Sequence, residues 1–174
     1  MQTRVNLLAL LVLMAVAGAC ASVRALEERP DDFSVEARWR TGSLPPPYHH
    51  SEHITISPAG DGVLRGETAY GDGPSETWTF QLGEDDLDRL YDDLREAGLF
   101  RSWREDTNPP VGGGSWWADV TAGGDTTEIP SFPRGGWGDK QRVEDVLRSA
   151  VPSATWSAHA SWLSDALSTL SEPD

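Results

Sequence analysis

A single cysteine, at position 20, limits more than any other residue what this chain can become. With no second thiol there is no intramolecular disulfide, so stability has to come from apolar burial. The part beyond Cys20 runs to about 155 residues, enough for one domain with its own core and too few for two. Eight tryptophans are available to that core. Trp78, Trp156 and one of Trp116 and Trp117 suit buried positions. Neighbours on a strand point to opposite faces, so Trp116 and Trp117 cannot both enter one core.

The hydrophobic pattern predicts strands first. Ile54 and Ile56 alternate with polar residues, and Ser57-Pro58-Ala59-Gly60-Asp61-Gly62 is dense in turn formers before Val63-Leu64-Arg65. Trp78, Phe80 and Leu82 alternate with Thr77, Thr79 and Gln81. Leu87, Leu90, Tyr91 and Leu94 then fall at the spacing of one helical face. Glu84-Asp85-Asp86 suit the positive end of that helix, and Gly98-Leu99 reads as a left-handed cap with its apolar contact. Beyond Phe100 come a loop with Asn108-Pro109-Pro110 and Gly112-Gly113-Gly114, and a hairpin across Ala122-Gly123-Gly124-Asp125. A helix with Val143, Val146, Leu147 and Ala150 on one face follows, then a last one marked by Trp156, Ala160, Leu163, Leu167 and Leu170. The order predicts an α+β domain, an antiparallel sheet meander with two to three helices packed on one face.

The N-terminus has its own logic. Met1-Gln2-Thr3-Arg4 is a short basic opening, Val5 to Ala17 is apolar apart from Asn6, and Ala17-Gly18-Ala19 precede Cys20. A membrane span needs about 20 apolar residues, more than this run offers. Basic opening, apolar run, small residues and cysteine together resemble a bacterial lipoprotein signal peptide with its lipobox. The resemblance implies removal of residues 1–19 and a diacylglycerol on the Cys20 thiol, with an N-acyl chain on the new terminus. It also implies a membrane-anchored protein of the cell envelope facing the periplasm or exterior. Ala17 stands where leucine is commonest in that pattern. Residues 20–47 read as an acidic, proline-rich tether ending in Pro45-Pro46-Pro47, a stiff extended spacer. Within it Val35–Arg40 alternates like an edge strand; the globular domain is expected over residues 48–174, or from near Asp32 if that strand pairs with the main sheet.

Charge excludes some partners. The chain carries −14, or about −15 once Arg4 is set aside. Such acidity disfavours nucleic acid, whose phosphates recruit Lys and Arg, and it repels anionic headgroups.

Chemistry-bearing motifs are sparse. His49, His50 and His53, with Glu52 nearby, are the candidate metal ligands and the only basis for a metal-dependent hydrolase. Zinc peptidase histidines sit on a helix, and here prolines precede and a strand follows. On a strand His49 and His53 would stand about 13 Å apart. No Gly-x-Ser-x-Gly elbow occurs, and Gly112-Gly113-Gly114-Ser115 lacks the lysine of a phosphate loop. No catalytic residue and no cofactor beyond the lipid is nominated.

Trp103 and Trp137 flank the glycine-rich loops, and with Trp116 and Trp117 they are the candidate binding residues. Indole faces anchor protein interfaces and stack on sugars. The expectation is a non-enzymatic protein that binds another protein through this surface, with a glycan or cell-wall module as the alternative. The stretch from Ile54 to Ala150, with its acidic helix ending Glu96-Ala97-Gly98-Leu99-Phe100, is also similar to the small proteinaceous inhibitors of thermolysin-type peptidases, the emfourin group. That similarity implies a peptidase as partner and assigns no residue.

Overall fold

The alternation of Ser34–Arg40 does make a strand, β1, with Phe33, Val35, Ala37 and Trp39 buried along one side. It opens a computed structural model that describes residues 28–45, 48–108 and 112–170. Residues 1–27, with Cys20, lie outside the described residues, as do Pro46, Pro47 and the Pro109–Val111 tripeptide. Strands β2 (His50–Ile56), β3 (Asp61–Thr68) and β4 (Ser75–Gln81) follow as a meander. Helix α1 (Glu84–Ala97) comes next, then the hairpin of β5 (Ser115–Ala122) and β6 (Asp125–Ile129). Helices α2 (Trp137–Ala150) and α3 (Ser153–Leu170) are the last described elements.

The six strands form one antiparallel sheet in the order β4-β3-β2-β1-β5-β6. The expectation for Val35–Arg40 therefore needs correcting. This strand is interior, not an edge, and it joins the meander to the β5–β6 hairpin. The domain accordingly begins before residue 34, inside the segment the sequence assigns to the tether. Phe33 meets Tyr91 of α1 edge to face with centroids 5.3 Å apart, and both rings are fully buried.

Register divides the sheet into two faces. Val35, Ile56 and Val120 share one with Ala37, Ile54, Leu64 and Ala118, and the helices cover that face. Helices α1 and α2 pack against each other, while α3 lies on β3 and β4. Gly66 makes room for α3: a β-carbon there would come within 2.5 Å of the Trp162 ring and 3.0 Å of His159. The α1 terminus is as the sequence implies. Gly98 adopts φ 94°, and the Leu99 amide donates to the Leu94 carbonyl at 2.9 Å over a fully buried Leu99 side chain. The architecture is α+β, an antiparallel sheet with three helices.

The last helix buries most of the face its apolar residues mark, with Trp156, Leu163 and Leu167 half-buried, but is turned slightly from it. Ala160 is exposed, and His159 and Ala166 are buried instead, with Trp156 and Trp162 half-buried. The His159–Trp162 side is the one seated over the notch at Gly66.

Candidate functional site

Under the helices, at the end of β1, tryptophans and cations alternate. Trp39 and Trp116, directly opposite on β1 and β5, stack with centroids 5.8 Å apart and planes 19° apart. Lys140 lies 4.6 Å above Trp116, and the Arg148 guanidinium lies 4.6 Å above Trp39 and 5.4 Å from Trp156. Arg148 also pairs with Glu52 at 3.0 Å and Glu144 at 3.2 Å, and the Trp39 indole N–H donates to Glu144 at 2.7 Å. Beyond Trp156 stands His159, ringed by Trp78, Trp156 and Trp162 with its Nε2 4.0 Å from Glu52. This layer is internal. It consumes Trp116, which is 7% exposed and unable to face a partner directly.

His159 makes this layer sensitive to acid. Burial holds its imidazole below the ordinary value of 6.5, with Glu52 opposing. Burial lowers His49 and His53 in the same direction. As pH falls below about 6.5 the unfolded chain takes up protons first, so stability is lost from there downward. The melting temperature is expected to fall between about pH 7 and about pH 5. His159→Phe should flatten part of that slope in a calorimetric series; an unchanged slope would remove His159 from the account.

Among the described residues the other face of the sheet carries no helix. Across it, perpendicular to the strands, runs a row of Arg65, His53, Arg38 and Trp117 in register. Beside it runs an acidic row of Glu36, Asp119 and Glu128. Arg38 and His53 both approach Glu36, at 2.7 and 3.2 Å, and the Arg38 bonds hold that carboxyl below its usual value. Asp119 is shifted the other way, raised by burial and then by the neighbouring Glu128 and Glu36 charges. Among the described residues neither Asp119 nor Glu128 has an ion-pair partner.

Three clefts of about 720, 670 and 630 Å3 open around the Arg40 end of β1, and Arg40 lines all of them. The first runs along β6 and is walled by Arg101, Trp103 and Trp117. The second lies over the Arg38–His53–Arg65 row, with Tyr70 at its rim. The third enters the inner layer beside Glu52, Glu144 and the Gly112–Gly114 loop. Arg40 is held in place from two sides: its Nε donates to the Ser115 hydroxyl at 3.1 Å and its guanidinium lies 5.4 Å over Trp117. It has no acidic partner among the described residues. Trp103 is fixed in the same way, its N–H donating to the Leu99 carbonyl at 2.7 Å and Arg101 lying 5.2 Å from its ring.

Of the four tryptophans singled out, the structure brings Trp103 and Trp117 together in the first cleft. Trp137 is 52% exposed but lies apart, over Lys140 and Phe132. The histidines do not converge. Strand β2 begins at His50, so His50 and His53 point to opposite faces, and His49 precedes the strand, stacked on Tyr70 with centroids 3.6 Å apart. His49 and His53 both line the second cleft, while His50 lines the third. Among the described residues no group of three or more His, Cys, Asp or Glu is placed to hold a metal ion. Arg40, Lys140 and His159 are the residues that sequence reasoning passes over, since a lone charged residue in a strand or helix reads as solvated. The sequence matches no protein-family model and no curated protein.

Proposed function

We propose that this chain is a non-enzymatic, lipid-anchored protein of the bacterial envelope that binds another protein through the open sheet face around Arg40 and Trp117. The N-terminal order of Arg4, apolar run, Ala17-Gly18-Ala19 and Cys20 supports the anchor. The binding reading is carried by one observation: a guanidinium without a carboxylate partner among the described residues stands where the three clefts meet. Arginine and tryptophan are the residues that most often dominate interface energies. Residues 34 to 40 span about 20 Å, so the Arg40 end stands off from the point where the N-terminal segment enters the sheet. A peptidase is the partner class implied by the resemblance of the Ile54–Ala150 stretch.

The test is in-cell crosslinking of the tagged full chain with a Cys20→Ala control, followed by mass spectrometry. One dominant protein is expected, dependent on Cys20. Its recovery should drop about tenfold or more in Arg40→Glu and in Trp117→Ala while both variants stay folded. No protein above control would overturn this reading. Quenching of tryptophan fluorescence by peptidoglycan fragments would then favour the glycan alternative.

A further inference from the structure

The hairpin geometry fixes which backbone groups of β6 are spoken for. Its loop is the pair Gly123-Gly124, both at positive φ (65° and 83°), and Ala122 pairs with Asp125 across it. A two-residue loop is closed by a hydrogen-bonded pair, and bonded and non-bonded pairs then alternate along an antiparallel ladder. Val120–Thr127 and Ala118–Ile129 are therefore the bonded pairs. Thr126 and Glu128, opposite Thr121 and Asp119, turn their N–H and C=O groups away from β5.

Among the described residues β6 is the last strand of the sheet, so those groups face no further strand there. No described backbone bond reaches them. The 720 Å3 cleft takes in Thr126 through Ser131 without interruption, together with Arg40, Trp117 and Asp119 on the open face and Arg101, Trp103 and Glu105 of the segment after α1. That last segment is bonded to the segment beyond β6. The Asp106 amide donates to the Phe132 carbonyl and the Arg134 amide to the Arg104 carbonyl, both at 2.7 Å, with Glu105 bridging Pro133. The cleft lies beside a strand edge with no backbone partner among the described residues.

We propose that β6 receives an extended segment of a protein partner as a seventh, antiparallel strand, with a lysine or arginine opposite Glu128. This rests on the protein-binding reading above and names the mode of binding. A residue bonded to Glu128 shares its face, so its side chain lies beside Glu128, with Asp119 one strand further along the same row. Glu105, Asp119 and Glu128 all line the cleft and have no basic partner among the described residues. A cation there neutralises the crowded row, while main-chain bonds to Thr126 and Glu128 supply affinity.

The test selects a phage-displayed pool of random dodecapeptides on the full chain in detergent. Enriched peptides are expected to lack proline and to alternate β-branched or aromatic residues with lysine or arginine. Glu128→Pro, at a strand edge where proline is tolerated, removes the outward N–H together with the carboxylate. It should weaken the selected peptide about tenfold, and Glu128→Lys should do at least as much. In the wild-type chain the peptide should slow amide exchange at Thr126 and Glu128, leaving the already bonded Thr127 and Ile129 little changed. That measurement decides the matter even if Glu128→Pro fails to fold. No enriched peptide, or peptides that leave exchange at Thr126 and Glu128 unaltered, would overturn the proposal. Loss of the in-cell partner in Arg40→Glu with full retention in Glu128→Pro would overturn strand addition and leave the broader reading standing.

Discussion

A chain that starts at Tyr48 is expected not to fold. Strand β1 is bonded to β2 on one side and β5 on the other, so its removal leaves the β4-β3-β2 meander and the β5–β6 hairpin as separate pieces. Phe33, Val35, Ala37 and Trp39 leave the core with it, all 6% exposed or less. At about 1.5–3 kcal/mol for each large buried side chain, the loss is comparable to the 5–15 kcal/mol that holds a domain together. Circular dichroism should show no cooperative thermal transition, and amide proton shifts should be collapsed. A native-like melt of the Tyr48 chain would mean that β1 is dispensable and the sheet is held elsewhere.

The second large effect is expected at Lys140. Its side chain is 2% exposed, and its ammonium donates to the carbonyls of Trp116, Pro130 and Ser131 at 2.7, 2.8 and 2.6 Å. One helical residue thus ties α2 to β5 and to the segment leaving β6. Lys140→Met keeps the stem but strands three acceptors and removes the cation over Trp116. Leaving buried polar groups unpaired costs about 1–3 kcal/mol each, so a destabilisation of about 3–5 kcal/mol is expected in urea unfolding. Burial pulls the ammonium from 10.5 down to about 8. Between those values the unfolded chain binds more protons than the folded one, so the wild-type gains stability as pH rises through that window. Lys140→Met should lack that rise; an equal rise in both would assign it to other groups.

Much of the fold is legible in the residues because strands and α1 advertise themselves by period. Leu87, Leu90, Tyr91 and Leu94 are all buried as their spacing implies, and the Trp78–Phe80 alternation is β4. Position within the sheet is another matter. Val35–Arg40 alternates in the same way whether it lies at an edge or in the middle, because one face is wet in either case. The Trp116–Trp117 pair announces that one ring is inside but not which; the register against Trp39 decides it. The candidate site is assembled from β1, the 101–105 segment and β5–β6, distant in sequence and lacking any shared motif. Its central residue, Arg40, carries no local signal at all. His159 is missed for a related reason: its cage of three tryptophans comes from two elements and depends on the absent side chain of Gly66.

The interior position of β1 has a mechanical consequence. Phe33 bonds back to Pro30, and the Asp32 carboxylate accepts the amides of Gly123 and Gly124 at 2.6 and 2.7 Å, so the chain enters the sheet firmly held at the β5–β6 turn. Any pull on the segment before Pro30, resisted at the Arg40 end, acts along β1 while β2 and β5 grip it on both flanks. The rungs of both ladders are then strained together in shear and do not open one after another like a zipper. A domain built this way yields to tension last at the strand through which the tension enters.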